Sequence, residues 1–388
     1  MKPNIKVAVV LGTRPEAIKL APVIKRLHEH PDFEAVTLCT AQHREMLDQV
    51  LTLFRIRPDY DLNIMSPGQS LSRIITSSLD RLDGLYQRFQ PNLVLVQGDT
   101  STTFAASLAA FYHRIPVGHI EAGLRTGDRF QPYPEEMNRR LTSALADLHF
   151  APTATAKKHL LAEGIDPKKI FVTGNTVIDA LRMVREMNVT VALPEGFSAK
   201  RLILVTAHRR ENQGLPLRSI CCAVREIVDR FPDVAVVFPV HKNPQVRAEV
   251  FPLLGSLERV WLCDPLQYTE TAHLLSSSFL VLTDSGGLQE EAPSLGKPVL
   301  VLRERTERPE AVKVGAARLV GTEKDRIVKE ASALLKSSRR YHAMAKVTNP
   351  YGDGRATERI INAILFNFKV GRRRSRPAAF RPTSSTSG

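Results

Sequence analysis

Short, uninterrupted apolar runs alternate along this chain with longer stretches whose apolar residues recur every three or four positions. Runs 5–11, 35–40, 93–96 and 116–120 predict strands, with shorter ones at 61–64 and 148–150. Between them, 15–27, 42–53, 71–89 and 101–112 carry the helical period, and a polar-rich helix is expected over 134–145. The second half repeats the plan, with strand-like runs at 201–206, 234–240, 260–262, 279–282 and 298–302. Strands that are apolar throughout, rather than alternating, belong to parallel sheets covered on both faces. The pattern therefore predicts an α/β protein of two doubly wound Rossmann-like domains facing a cleft. The expected boundaries are 1–172 for the first domain and 173–355 for the second. A helix over 356–368 is placed to cross back to the first domain, and 369–388 is expected to be a basic, disordered tail.

Composition changes this picture little. The chain has 388 residues, enough for two ordinary domains, and 43% apolar with 24% charged content is that of a globular protein. No run reaches the roughly 18 apolar residues of a membrane helix. The first apolar run stops at Gly12, with Arg14 and Glu16 where a signal peptide's cleavage site would stand. Four cysteines without a CxxC pair predict reduced thiols and a cytoplasmic protein. The net charge is +14, but 366–388 holds six basic residues and no acid, which leaves +8 on the rest. That excess suits an acidic small molecule. Without a basic patch interleaved with aromatics, neither nucleic acid nor membrane is an expected partner.

Candidate chemistry gathers at predicted strand ends. Thr283-Asp284-Ser285-Gly286-Gly287 links a strand to a helix, and a turn without Cβ atoms at a helix N-terminus lets N–H groups approach an anion. A Gly-Gly pair is often only a tight turn. Ser285 adds a hydroxyl donor, however, and Glu291, one helical turn on, suits a ribose diol. A nucleotide diphosphate is expected there. Asp99, Glu121 and Glu135 are acids at or just after strand ends of the first domain. Each alone reads equally as a cap or an ion-pair partner, but three together suit general acid/base work. Arg14, Lys19, Arg139 and Arg308 lie near enough in the pattern to neutralise them or hold phosphate. His208, just after a strand and beside Arg209, is a candidate donor to a leaving group. The acids lack metal-ligand spacing, no GxGxxG follows the first strand, and no nucleophile elbow occurs. Neither a metal nor NAD is expected, and covalent catalysis finds no support.

Over 6–365 these residues fall into ordered motifs: Gly12-Thr-Arg-Pro-Glu16, Gln97-Gly-Asp-Thr100, His119-Ile-Glu121, Pro134-Glu-Glu-Met-Asn-Arg139, His208-Arg-Arg-Glu211, Asp284-Ser-Gly-Gly287 and Glu307-Arg-Pro309. The set resembles the non-hydrolysing UDP-N-acetylglucosamine 2-epimerases of glycosyltransferase-B-like fold. The resemblance implies reversible conversion of UDP-GlcNAc to UDP-ManNAc for cell-surface polysaccharide, without cofactor, through loss of UDP to a 2-acetamidoglucal and its re-addition. It implies Asp99, Glu121, Glu135 and His208 as catalytic residues. Arg14, Lys19, Arg139, Ser285, Gly286, Gly287, Glu291 and Arg308 are implied as contacts or electrostatic support for the nucleotide sugar. A homodimer is implied, as is a second, activating UDP-GlcNAc held by Gln42, His43, Arg209 and His241. A glycosyltransferase of the same fold and a hydrolysing 2-epimerase are the alternative readings.

Overall fold

The structure is a computed structural model, and it describes residues 4–41, 44–66, 68–370 and 375–382. The chain divides into two compact units. The first comprises Met1–Ala180 with Gly352–Arg381, and the second is built on Leu181–Tyr351.

In the first unit seven strands form one parallel sheet: β1 (Ile5–Leu11), β2 (Phe33–Cys39), β3 (Tyr60–Asp61), β4 (Leu93–Gln97), β5 (Val117–Ile120), β6 (Leu148–Ala151) and β7 (Ile170–Val172). They are ordered β3-β2-β1-β4-β5-β6-β7. β4, β5 and β6 are buried at every position, as strands with helices on both faces must be. The second unit holds a six-stranded parallel sheet: β8 (Arg201–Thr206), β9 (Val234–Pro239), β10 (Val260–Cys263), β11 (Leu280–Thr283), β12 (Val299–Val301) and β13 (Ala317–Leu319), ordered β10-β9-β8-β11-β12-β13. In both sheets the chain therefore reverses the side on which it adds strands beside the first strand, between β1 and β4 and between β8 and β11. In open α/β sheets, ligands bind beyond the carboxyl ends of the strands at such a switch point.

Three expectations about the chain's organisation change. The short strands β7 and β13, absent from the pattern reading, are three residues each, too short to show a period. The first unit runs past 172, because β7 completes its sheet and the helix Thr176–Glu186 starts inside it. Buried Asp179 on that helix accepts the backbone N–H groups of Ala356 (3.2 Å) and Thr357 (2.8 Å). It thereby caps the final helix, Ala356–Asn367, and binds it to the first unit.

The third correction concerns the expected disordered tail over 375–382; residues 371–374 and 383–388 lie outside the described residues. Arg376 lies over the Phe171 ring, 4.4 Å from its centroid, and donates to the carbonyls of Pro167, Lys168 and Ile170. The Phe380 N–H donates to Val172 at 2.8 Å, and the Phe380 ring is buried beneath Arg359. Residues 375–382 thus cover β7, an edge strand whose outer N–H and C=O groups would otherwise be open. Composition predicts a solvated segment there because it counts the arginines and misses one well-placed phenylalanine.

Candidate functional site

The site residues of the first unit stand at its switch point. Gly12 follows β1, and a Cβ there would lie 2.3 Å from Thr40 Oγ1 and 2.5 Å from Thr102 Oγ1, so only glycine lets the turn pass. Arg14 opens the helix Arg14–Glu29, and Lys19 follows on it. Glu16, which the sequence does not single out, is buried on the same helix. It accepts the Gly12 N–H (3.0 Å) and the hydroxyls of Thr100 (2.7 Å) and Thr103 (3.0 Å), tying the β1 turn to the β4 turn. Burial raises the Glu16 carboxyl above its usual range, against those hydrogen bonds.

Asp99 follows β4, and its carboxylate is paired with Arg139. Asn138 Nδ2 donates to the Asp99 carbonyl at 3.0 Å. Both partners lie in the first turns of the helix Glu135–Leu145, which begins at Glu135. Glu121 follows β5 with φ at +66°, a left-handed conformation uncommon outside glycine. Such strain persists where the surroundings impose it, and here they do. Lys19 Nζ lies 2.5 Å and Asn175 Nδ2 2.7 Å from Glu121 Oε2. A Cβ on Gly98 would sit 3.9 Å from Glu121 Oε1, which places this carboxylate beside the Asp99 loop.

Asp99 and Glu121 thus stand at neighbouring strand ends, not with repelling, unpaired charges but each with a cation of its own. Behind them His119 Nε2 donates to the Gly98 carbonyl at 2.7 Å, and burial pushes its pKa down to about 3, so it is neutral. The sequence marks it only as the first residue of the His119-Ile-Glu121 motif.

In the second unit, His208 and Arg209 follow β8, and Asp284 to Gly287 follow β11, its neighbour in the sheet. Ser285 heads the short helix Gly286–Glu291, and its hydroxyl makes no bond to that helix's own N–H groups. A Cβ on Gly286 would come within 3.0 Å of the Arg308 guanidinium and 3.2 Å of Glu307 Oε1. Arg308 is held against the turn by Glu290 (3.0 Å) and Glu307 (2.6 Å). Burial acts to raise the Glu307 carboxyl, but Arg308, Arg209 and Arg303 around it hold it well below the usual range. Glu291 is buried, and Tyr268 donates to its Oε1 at 2.7 Å.

Asp284 anchors the loop after β8. Fully buried, it accepts at Oδ2 the N–H groups of His208 (2.8 Å) and Arg209 (2.9 Å) and the Asn212 amide (3.0 Å). Burial favours its neutral form, but the His208 side chain and these N–H groups outweigh that and lower its pKa. Arg209 is turned inward, to the Asp284 carbonyl (2.9 Å) and Glu307 (3.2 Å). His241 is exposed beyond β9 and accepts the Asn243 N–H at 3.1 Å. Gln42 and His43 lie outside the described residues. Among the described residues no cluster of three or more His, Cys, Asp or Glu side chains is arranged to hold a metal ion. None of their helices is long and apolar enough to cross a membrane.

Residues 25–365 match the profile of the family described as UDP-N-acetylglucosamine 2-epimerase. The UDP-N-acetylglucosamine 2-epimerase of Escherichia coli (strain K12) is 54% identical over 372 residues, covering 94% of this chain and 99% of the relative. The crystal structure of UDP-GlcNAc 2-epimerase from Neisseria meningitidis, bound to UDP-GlcNAc, superposes with a TM-score of 0.87 at 51% identity, over 93% of this chain and 100% of that one. The S. aureus MnaA co-structure with UDP gives a TM-score of 0.89 at 48% identity, over 97% of this chain and 100% of that one. The fold is thus two parallel-sheet, Rossmann-like α/β domains of glycosyltransferase-B-like type. With half of its residues identical across nearly its whole length, the chain belongs to the UDP-N-acetylglucosamine 2-epimerase family.

Proposed function

We propose that this protein interconverts UDP-GlcNAc and UDP-ManNAc without hydrolysing them and without a cofactor. The observation that carries this reading is the pair of acids on adjacent strand ends, Asp99 with Arg139 and Glu121 with Lys19. Inverting C2 needs a proton taken from one face of the ring and returned on the other, hence more than one acid/base group. A carboxylate takes the C2 proton, and the C–H electrons form the C1–C2 double bond of a 2-acetamidoglucal. The C1–O bond breaks and its electron pair leaves with UDP. Re-addition of UDP to C1, with protonation of C2 from the opposite face, gives the epimer. Asp99, Glu121 and Glu135 supply the proton transfers in this scheme. Ser285, Gly286, Gly287 and Arg308 hold the diphosphate, Glu291 takes the ribose diol, Arg14 and Lys19 contact the substrate, and His208 donates to the departing phosphate.

Incubating the purified protein with UDP-GlcNAc alone in D2O tests the proposal. Deuterium at C2 and the appearance of UDP-ManNAc are expected. Release of UDP with free ManNAc would identify a hydrolysing enzyme, and no change without an acceptor sugar would identify a transferase. The same proposal includes a cytoplasmic homodimer, which light scattering would register at about twice the 43.2 kDa of the chain. It also includes activation by a second UDP-GlcNAc through Gln42, His43, Arg209 and His241. A rate that stays hyperbolic in UDP-GlcNAc would remove that site.

A further inference from the structure

The two oxygens of Asp284 have different tasks. Oδ2 receives three donors, all from the loop after β8. Oδ1, which none of them reaches, lies 3.2 Å from Nδ1 of His208. The carboxylate is fully buried, whereas the His208 side chain is 48% exposed. The Nδ1 side of the ring thus lies against a buried carboxylate oxygen, while about half of the side chain is open to solvent.

We propose that Asp284 is a positioning residue for His208: Oδ1 accepts the Nδ1–H proton, which fixes the tautomer and aims Nε2 at the substrate. With the Nδ1 proton committed to Asp284, Nε2 donates to an oxygen gaining negative charge when the ring carries a second proton, whose charge faces the carboxylate. This rests on the epimerase reading, in which that oxygen belongs to the departing UDP. The sequence places the two residues 76 positions apart, and only the pairing of β8 with β11 brings them together.

Asp284→Asn separates anchoring from positioning. The amide has one oxygen, and the three donors at Oδ2 hold it there. Its NH2 group must then face His208 Nδ1, which can no longer donate and becomes the acceptor. Removing an orienting carboxylate in this way is expected to lower kcat on the order of 10²- to 10⁴-fold, with KM changed far less.

The experiment pairs kinetics with 15N spectra of histidine-labelled full-length protein, recorded near pH 8.5, about two units above the ordinary imidazole pKa. Among the 11 histidines, the His208 signal is assigned by its loss in His208→Asn. The wild-type ring should be protonated at Nδ1 and the Asp284→Asn ring at Nε2. In a His208→Asn background, Asp284→Asn should cost little further activity. A wild-type ring protonated at Nε2, an active Asp284→Asn enzyme or additive losses would overturn the proposal. Should Asp284→Asn not fold, the wild-type spectrum alone decides. A wild-type protein that never exchanges C2–H would instead sink the epimerase reading, leaving the tautomer result standing.

Discussion

Lys19 Nζ and Glu121 Oε2, 102 residues apart in the chain, meet at 2.5 Å with their side chains only 12% and 7% exposed. Removing one partner of such a pair strands the other charge away from water, at a typical cost of about 3–5 kcal/mol. Lys19→Met should therefore lower both stability and turnover. Glu121→Gln keeps the shape and an oxygen for Asn175 but leaves the Lys19 charge unpaired, so it should also lower the melting temperature, while turnover of the folded enzyme should fall on the order of 10²- to 10⁴-fold. Wild-type turnover in Glu121→Gln, measured well below its melting temperature, would assign Glu121 a structural role.

The two glycines of the β11 turn should separate binding from folding. A Cβ on Gly286 meets an arginine pinned by two glutamates, so Gly286→Ala should raise KM for UDP-GlcNAc and lower the melting temperature together. A Cβ on Gly287 meets only Ser285 Oγ, at 3.9 Å. Gly287→Ala should fold normally and raise KM about tenfold or more, because the methyl group occupies the space the diphosphate needs. Unchanged KM in Gly287→Ala would place the diphosphate elsewhere.

Acid should destabilise the protein earlier than its carboxylates require. His119 and His149, partners in the β5–β6 register, are buried and lowered by that burial to about 3 and about 4. Their folded pKa values lie below the unfolded value near 6.5, so their contribution is complete above that pH. It is lost as pH falls through the window down to about 4 for His149 and about 3 for His119, at up to about 1.4 kcal/mol per pH unit for each ring. Comparing denaturant midpoints of wild type and His149→Phe at pH 7 and pH 5 isolates one ring. The variant should show the shallower fall, and an equal fall in both would show that His149 does not titrate in this way.

The C-terminal segment should stabilise without touching catalysis. Phe380→Ala opens a cavity over β7 and is expected to cost about 3 kcal/mol. Arg376→Ala loses its stacking on Phe171 and its carbonyl bonds, and should cost about 1–2 kcal/mol. Thermal unfolding reads the loss, and kcat with UDP-GlcNAc should stay at the wild-type value in both variants.

Much of this protein was legible in the order of its residues. Alternating apolar runs and helical periods specify two parallel sheets, because buried strands and amphipathic helices each carry a local signature. The Gly-Gly turn and the acids after β4 and β5 were legible for the same reason, since strand ends can be read from where apolar runs stop. What remained hidden depends on contacts between distant residues. Asp284 reads as a turn residue until β8 lies beside β11 and puts the His208 loop on its carboxylate. Glu16 reads as a first-turn acid until β1 and β4 pair and bring Thr100 and Thr103 to it. Arg376 and Phe380 read as solvated chain until β7 offers an edge to cover. Periodicity encodes which face of an element is buried, whereas ion pairs and caps depend on which elements are neighbours, and only the assembled sheet decides that.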